Sequence, residues 1–471
     1  MIDISNRREC FFDDYLIDKA KTSADFRVHQ PVRRDVVMSH TMPWEGNCTD
    51  YHNMFYDNGI WRMYYVGWDF PSTHGLCFCY AESRDGIHWT RPNLGICEWE
   101  GSRENNIIFD RETLRSRDNF MVFRDDNPAC TAEKKYKAIL SQEKHTLWYF
   151  YSDDGVHFHR GEMLTDKGAF DSLNVAFWDD HAKKYRCFYR AAHAEGNTEI
   201  VRDYDESHVR DIRYMESDDF EHWSEPVILD FDDESDIALY TNVVMPYYRA
   251  PHIMIGFPSR YVYRKGWTEN FDELTGSEYR KKRCETDIRL GLTVTDCAFM
   301  CSRDGKRFKR YDEAFMRPGP ENGKNWVYGD CYPARGIIET PSQIEGAPNE
   351  ISMSAFENHW IGPANLVRYT LRLDGFVSLH ADKKEEIITT KPFRYNGTEL
   401  YVNFSTSAWG GMYITMIDED GTRYESGETF GDSTNRRIRF SSPEAVSKLC
   451  GKPVTLEIRM RDADLYSLKF E

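Results

Sequence analysis

A short pattern recurs five times along the chain and constrains its fold more than any other feature. Its copies are Ser83-Arg84-Asp85-Gly86-Ile87-His88-Trp89, Ser152-Asp153-Asp154-Gly155-Val156-His157-Phe158, Ser217-Asp218-Asp219-Phe220-Glu221-His222-Trp223 and Ser302-Arg303-Asp304-Gly305-Lys306-Arg307-Phe308. The fifth, Arg372-Leu373-Asp374-Gly375-Phe376-Val377-Ser378, keeps only the Asp-Gly centre. Asp-Gly between alternating apolar runs marks a tight hairpin, because glycine takes positive φ without steric cost. The copies start 69, 65, 85 and 70 residues apart. A hairpin at a near-fixed period means repeated supersecondary units.

Two further strand-like segments precede each hairpin in constant order. The first set covers residues 50–56, 118–123, 171–178, 241–247 and 330–338, and the second 61–67, 136–142, 185–191, 252–258 and 350–356. A third segment leads into each hairpin, and a fourth follows it, as at 96–100 and 226–231. Four short antiparallel strands per unit make a propeller blade, so the chain reads as an all-β, five-bladed β-propeller. Asp13 and Asp14 are expected to start a strand that closes the ring. No long helical periodicity competes; the best candidate, 443–449, is a turn or two.

Beyond about Lys383 the blade pattern stops. Segments 400–404, 411–417, 436–440, 454–460 and 462–470 alternate apolar and polar residues with turns between them. The expected division is therefore a propeller over 1–382 and a small C-terminal β-sandwich over 383–471, structural or carbohydrate-binding in role.

The net charge of −18 opposes nucleic acid and anionic membranes as partners. Twelve scattered cysteines form no Cys-x-x-Cys pair, and without a secretory context reduced thiols are the default. The N-terminal residues lack an apolar signal core, and no stretch approaches the roughly 20 apolar residues of a membrane span. A cytoplasmic protein is expected, and the C-terminal module offers a surface for homo-oligomer contact. No ligand motif calls for a cofactor, although calcium or another ion on the propeller axis is compatible with the fold.

The Ser-x-Asp-Gly-x-x-Trp hairpins resemble those of the five-bladed propeller glycosidases, the invertase and arabinanase/xylosidase superfamily with its related mannoside phosphorylases. Phe12-Asp13-Asp14-Tyr15-Leu16-Ile17, Pro43-Trp44-Glu45-Gly46, Phe170-Asp171-Ser172 and Arg461-Asp462-Ala463-Asp464-Leu465-Tyr466-Ser467 look closer still to a bacterial glycosyl-hydrolase-like group. The resemblance covers nearly the whole chain and implies a carbohydrate substrate.

In a propeller the innermost strands converge on a central funnel. Their entrances here carry Asp50 and Tyr51, Asp118 and Asn119, Asp171 and Asn174, Tyr240, and Asp330. Carboxylates from different blades aimed at one axis suit glycoside hydrolysis, in which one carboxylic acid protonates the leaving oxygen and a second carboxylate activates water or attacks carbon. The superfamily's pattern implies Asp50 as base, Asp118 as pKa modulator and Asp171 as acid, although aspartate replaces glutamate at the third position. Glu45 and Glu350 are alternative acids. Arg190, Arg260 and His252 could bind hydroxyls or an anion, and Trp44, Tyr51, Trp178 and Trp326 could stack on a sugar. A hydrolase acting on a small oligosaccharide or glycoside leads, with a phosphorylase or a non-catalytic sugar-binding propeller as alternatives.

Overall fold

A computed structural model describes residues 1–70, 76–110, 119–142, 145–233 and 235–471. Five antiparallel sheets follow one another around an axis. Blade one runs Asp50–Asp57, Ile60–Gly67, Cys77–Ser83, Trp89–Thr90. Blade two is Met121–Arg124, Tyr136–Gln142, Thr146–Ser152 and His159–Thr165. Blade three is Val175–Asp179, Lys184–Ala194, His208–Ser217 and Val227–Ile228. Blade four is built on Met245–Tyr247, Ala250–Gly256, Met300–Ser302 and Arg307–Arg310. Blade five is Ile338–Thr340, Glu350–Glu357 and Asn365–Arg372, completed by Val32–Ser39. The five-bladed propeller expected from the hairpins is present.

The hairpins show why their sequence recurs. Ser83 Oγ accepts the Gly86 N–H at 2.8 Å, and Asp85 Oδ1 accepts the N–H groups of Ile87 and His88 at 2.9 and 2.8 Å. The same network forms around Asp154, Asp219 and Asp304. Each aspartate thus satisfies turn donors that would otherwise go unpaired. Phe220 stands at φ 69° where the other copies have glycine. Its buried ring offsets that strain by packing edge-on against Tyr149 of blade two and Tyr185 of blade three.

Three expectations are corrected. The ring is closed by Val32–Ser39, not by a strand at Asp13 and Asp14, which lie in a turn where Asp13 pairs with Arg303. Segment 96–100 is not a strand; Trp89–Thr90 is the fourth strand, and Ile107–Asp110 pairs beside it. Helices were missed, because Ser277–Thr286 has no apolar stripe and its buried residues are Arg280 and Arg283. That helix belongs to an insertion within the extended hairpin Ser259–Tyr263 and Thr293–Cys297 of blade four.

Asparagines brace the blades at the axis. Asn53 of blade one donates to Phe120 O and accepts the Val122 N–H of blade two. Asn119 donates to Phe170 O at 2.6 Å and accepts the Ser141 N–H, while Asn174 bonds to Asn119 Oδ1 and accepts the Arg190 N–H. Asn242 of blade four donates to Leu173 and Phe188 carbonyls of blade three.

The C-terminal sheet has ten strands, dominated by Leu400–Asp418 and Val454–Phe470, each of which joins two segments expected to be separate strands. Strands Ile2–Ser5, Glu9–Cys10 and Asp25–Val28 also pair into this sheet, so the first 28 residues belong to it by hydrogen bonding. The fifth Asp-Gly turn is the exit from the propeller: the strand after it, Val377–Ala381, pairs in the C-terminal sheet. Asp374 is fully buried there and accepts from Tyr247, Arg249, Arg8, Asn403 and Ser467. Asp374→Ala removes the buried carboxylate that holds Arg8 and Arg249 and leaves the Tyr247 hydroxyl, Asn403 and Ser467 without their acceptor. It should lower stability by about 3–5 kcal/mol, read as a fall in the midpoint of thermal unfolding; an unchanged midpoint contradicts this role.

Candidate active site

The strand entrances at the funnel are irregular. Tyr51, Phe170, Val243 and Cys331 all adopt positive φ, between 47° and 60°, conformations that cost non-glycine residues of order 1–3 kcal/mol and that cluster at functional sites. In blade one the register slips between Asp50 and Asn53. In blade three, Ala169 and Phe170 both bond the Arg190 carbonyl, and Asp171 follows directly.

Asp171 lies in a cavity of about 540 Å³ with His145, Arg202, Tyr204, Glu206, Arg210, Tyr240 and Arg289. Tyr204 donates its hydroxyl to Asp171 Oδ2. Arg190 Nη2 stands 3.6 Å from Oδ1 and donates to Tyr204 at 2.8 Å, while Nη1 donates to the Tyr240 carbonyl at 3.2 Å. Burial disfavours the Arg190 cation, but Asp171 and the phenols of Tyr204 and Tyr240 outweigh it and push its pKa up. Burial likewise pushes the Tyr204 phenol up, so it remains a hydrogen donor.

An aromatic floor lies beside this group. Tyr240 stacks on Tyr261 and Tyr332 with centroids at 5.8 and 5.4 Å and meets Tyr328 edge-on at 5.5 Å. Arg190 sits 4.5 Å over Tyr240, Arg210 3.9 Å over Tyr261, and Arg289 5.9 Å over Tyr328. The lining is also strongly paired: Arg210 binds Glu206 at 3.1 Å and Arg289 binds Asp287 at 2.9 Å. Alternating donors and acceptors over tyrosine faces suit a polyhydroxylated ligand.

Tyr328 links this floor to a second cluster, with its ring 5.9 Å from His359 and 5.2 Å from Trp360. Asp50, Cys48 and His359 are buried there, with potential ligand atoms mutually within 4.8 Å. Arg283, from the inserted helix, donates to the His359 carbonyl and covers Trp360. Asp330 lies nearby in charge terms: burial pushes its pKa up to about 7 against the opposing pull of the Val327 N–H and Arg283.

The structure thus places Asp171 and Tyr240 in one cavity, with Arg190 buried behind Asp171, and Asp50 and Asp330 in or beside the adjoining cluster. Asp118 lies outside the described residues. Tyr51 is buried in the main core. The Asn119 and Asn174 amides hold blades together. Glu45 is buried and bound by Arg91 at 2.7 and 3.0 Å, by the Tyr65 hydroxyl and by the Met42 N–H, and Trp44 donates to Asn106. Glu350 pairs opposite Thr340, the last residue of its inner strand, and so sits at the far end of blade five from the funnel entrance. His252 lies 3.1 Å from Glu9, at the start of its strand, and Trp178 packs on Tyr185 near the end of its own. Arg260, held by both oxygens of Asp296, shares a separate cavity of about 550 Å³ with Trp326. Tyr204, Arg210, Arg289 and His359 were not anticipated; Tyr204 and His359 come from loops and Arg289 from the helical insertion, which carry no repeat signature, while Arg210 stands near the start of the blade-three strand His208–Ser217.

No family model matches the chain, and no curated protein matches it. Among solved structures, it is similar to a glycoside hydrolase family 43 arabinoxylan arabinofuranohydrolase from Bacillus subtilis, with 10% identity and a TM-score of 0.41 over 94% of this chain and 99% of that one. A Bombyx mori GH32 beta-fructofuranosidase gives 10% identity and 0.39 over 94% of each chain. A structure from the GH130 family of mannoside phosphorylases, described for hydrolases targeting beta-1,2 mannosidic linkages in Candida mannan, gives 12% and 0.44 over 75% and 96%. At these values the likeness assigns no activity.

Asp330 generates a stability test. Its folded pKa of about 7 exceeds the unfolded value, so the native state binds more protons between the two and loses stability as pH rises from about 4 to about 7. Asp330→Asn should flatten that part of the stability profile in chemical unfolding; an unchanged slope contradicts the assignment.

Proposed function

We propose that the protein is a glycosidase that acts on a small oligosaccharide or glycoside in the funnel cavity, with Asp171 as the carboxylate working on the glycosidic bond and Asp50 and Asp118 as its partners. The observation that carries this reading is the setting of Asp171. It lies in a cavity of about 540 Å³ that Tyr240 also lines, and it is held by Arg190 and Tyr204. Donation from Tyr204 and the Arg190 guanidinium 3.6 Å away fix the carboxylate's direction. Tyr240, the member of the tyrosine stack that reaches the cavity, supplies an aromatic surface for a sugar ring. The reaction class requires a second carboxylate, and in this reading Asp50, at the entrance to the inner strand of blade one, is that group.

A phosphorylase is the second reading, favoured by the three arginines that lie over the tyrosine floor. There inorganic phosphate would replace water as the attacking group. Turnover that requires phosphate supports this alternative; turnover in phosphate-free buffer supports hydrolysis.

Asp171→Asn should cut kcat by about 10²–10⁴-fold on any glycoside the wild type turns over, measured on folded protein below an unfolding midpoint that the lost counter-charge of buried Arg190 should lower. Tyr204→Phe, which removes one hydrogen bond to a charged group, should cost about 10-fold. Full activity in Asp171→Asn overturns the assignment.

A further inference from the structure

We infer that Cys48, Asp50 and His359 form a binding site for a borderline-soft divalent metal ion of the zinc class. The three come from two parts of the sequence, and Cys48 and His359 are 311 residues apart, so no spacing motif betrays them. Their side chains are buried, their candidate ligand atoms all lie within 4.8 Å of one another, and Cys48 Sγ is 3.9 Å from His359 Nε2. One thiol, one imidazole and one carboxylate are a donor set for zinc or cobalt; calcium takes oxygen ligands throughout. Three protein ligands leave a fourth tetrahedral position for water or another group.

The backbone around these residues is shaped to hold them. Cys48 and Asp50 flank the start of the inner strand of blade one, next to Tyr51 at φ 50°. His359 lies in a turn of blade five where Asn358 and Trp360 both adopt positive φ, 67° and 62°. Gly329 makes room for the imidazole: a Cβ at that position would lie 2.2 Å from His359 Cδ2. The Trp360 indole N–H donates to Cys48 Sγ at 2.6 Å, the outer-shell contact that steadies a metal-bound thiolate. Two anionic ligands offset the metal's charge beside Arg283.

Titration of the chelator-treated full chain with Co²⁺ reads metal binding and not turnover; Asp50 is shared with the glycosidase reading, whose own test is made at Asp171, so the two can fail separately. One Co²⁺ per chain should bind, with a thiolate-to-cobalt charge-transfer absorption, and Zn²⁺ should displace it. Cys48→Ser should abolish that absorption, and His359→Gln should abolish or shift it. Trp360→Phe keeps all three ligands and should weaken Co²⁺ about 10- to 100-fold. If a ligand variant fails to fold, the wild-type spectrum decides alone. Failure of the wild-type chain to bind Co²⁺ stoichiometrically, or a charge-transfer band that survives in folded Cys48→Ser, overturns the proposal.

Discussion

The hydrogen bonds that asparagine amides make between neighbouring inner strands are the constraint on which the rest of the molecule depends. A propeller blade buries its faces against its neighbours, but nothing in that packing fixes the height or rotation of one inner strand relative to the next. Asn53, Asn119, Asn174 and Asn242 do so with both ends of the amide, donating to one carbonyl and accepting one N–H across or within a blade. All four are buried, where an unmade bond is costly, so the register they set is strongly enforced. Asp171 sits three residues before Asn174, Asp50 three before Asn53, and each inherits its position at the funnel from the brace beside it.

Above the braces the backbone departs from regular strand geometry, and this departure makes the site. Positive φ at Tyr51, Phe170, Val243 and Cys331 turns the chain as it enters the inner strands. The helical insertion of blade four then covers one side of the funnel through arginines instead of apolar residues: Arg280 packs on Phe271, Arg283 on Trp360, and Arg289 faces Tyr328. The result is a polar, aromatic-walled cavity on a rigid ring. At the opposite end Asp374 ties blade four, the N-terminal segment and the C-terminal sheet to one buried carboxylate.

The parts of this architecture legible in the sequence are those written in local turn chemistry. Ser-x-Asp, followed by glycine in three copies and by Phe220 in a fourth, specifies its hairpin within seven residues, so four of the five copies and the blade count could be read directly. The fifth, which lacks the serine, looked like a weak hairpin and is an exit turn. Ring closure by Val32–Ser39 is a pairing with residues more than 300 positions away, and no local pattern encodes it. Ser277–Thr286 escaped notice because periodicity methods look for apolar stripes, and this helix buries guanidinium groups. At the site, Asp171, Arg190 and Tyr240 were legible because strand entrances must converge. Tyr204, Arg289 and His359 were not, because loops of differing length deliver them. Glu45 and Glu350 show the converse: an acidic residue beside a strand entrance or at a strand start need not face the funnel.

The account's central claim is that the cavity around Asp171 receives a sugar. The most direct measurement is a crystal structure of the Asp171→Asn variant soaked with a panel of glycosides. A sugar ring bounded by the substituted side chain, Tyr204 and Tyr240, with its glycosidic oxygen turned toward position 171, is the predicted result. Sugar bound only elsewhere on the molecule, or none from the whole panel while the cavity stays open in the crystal, would contradict it.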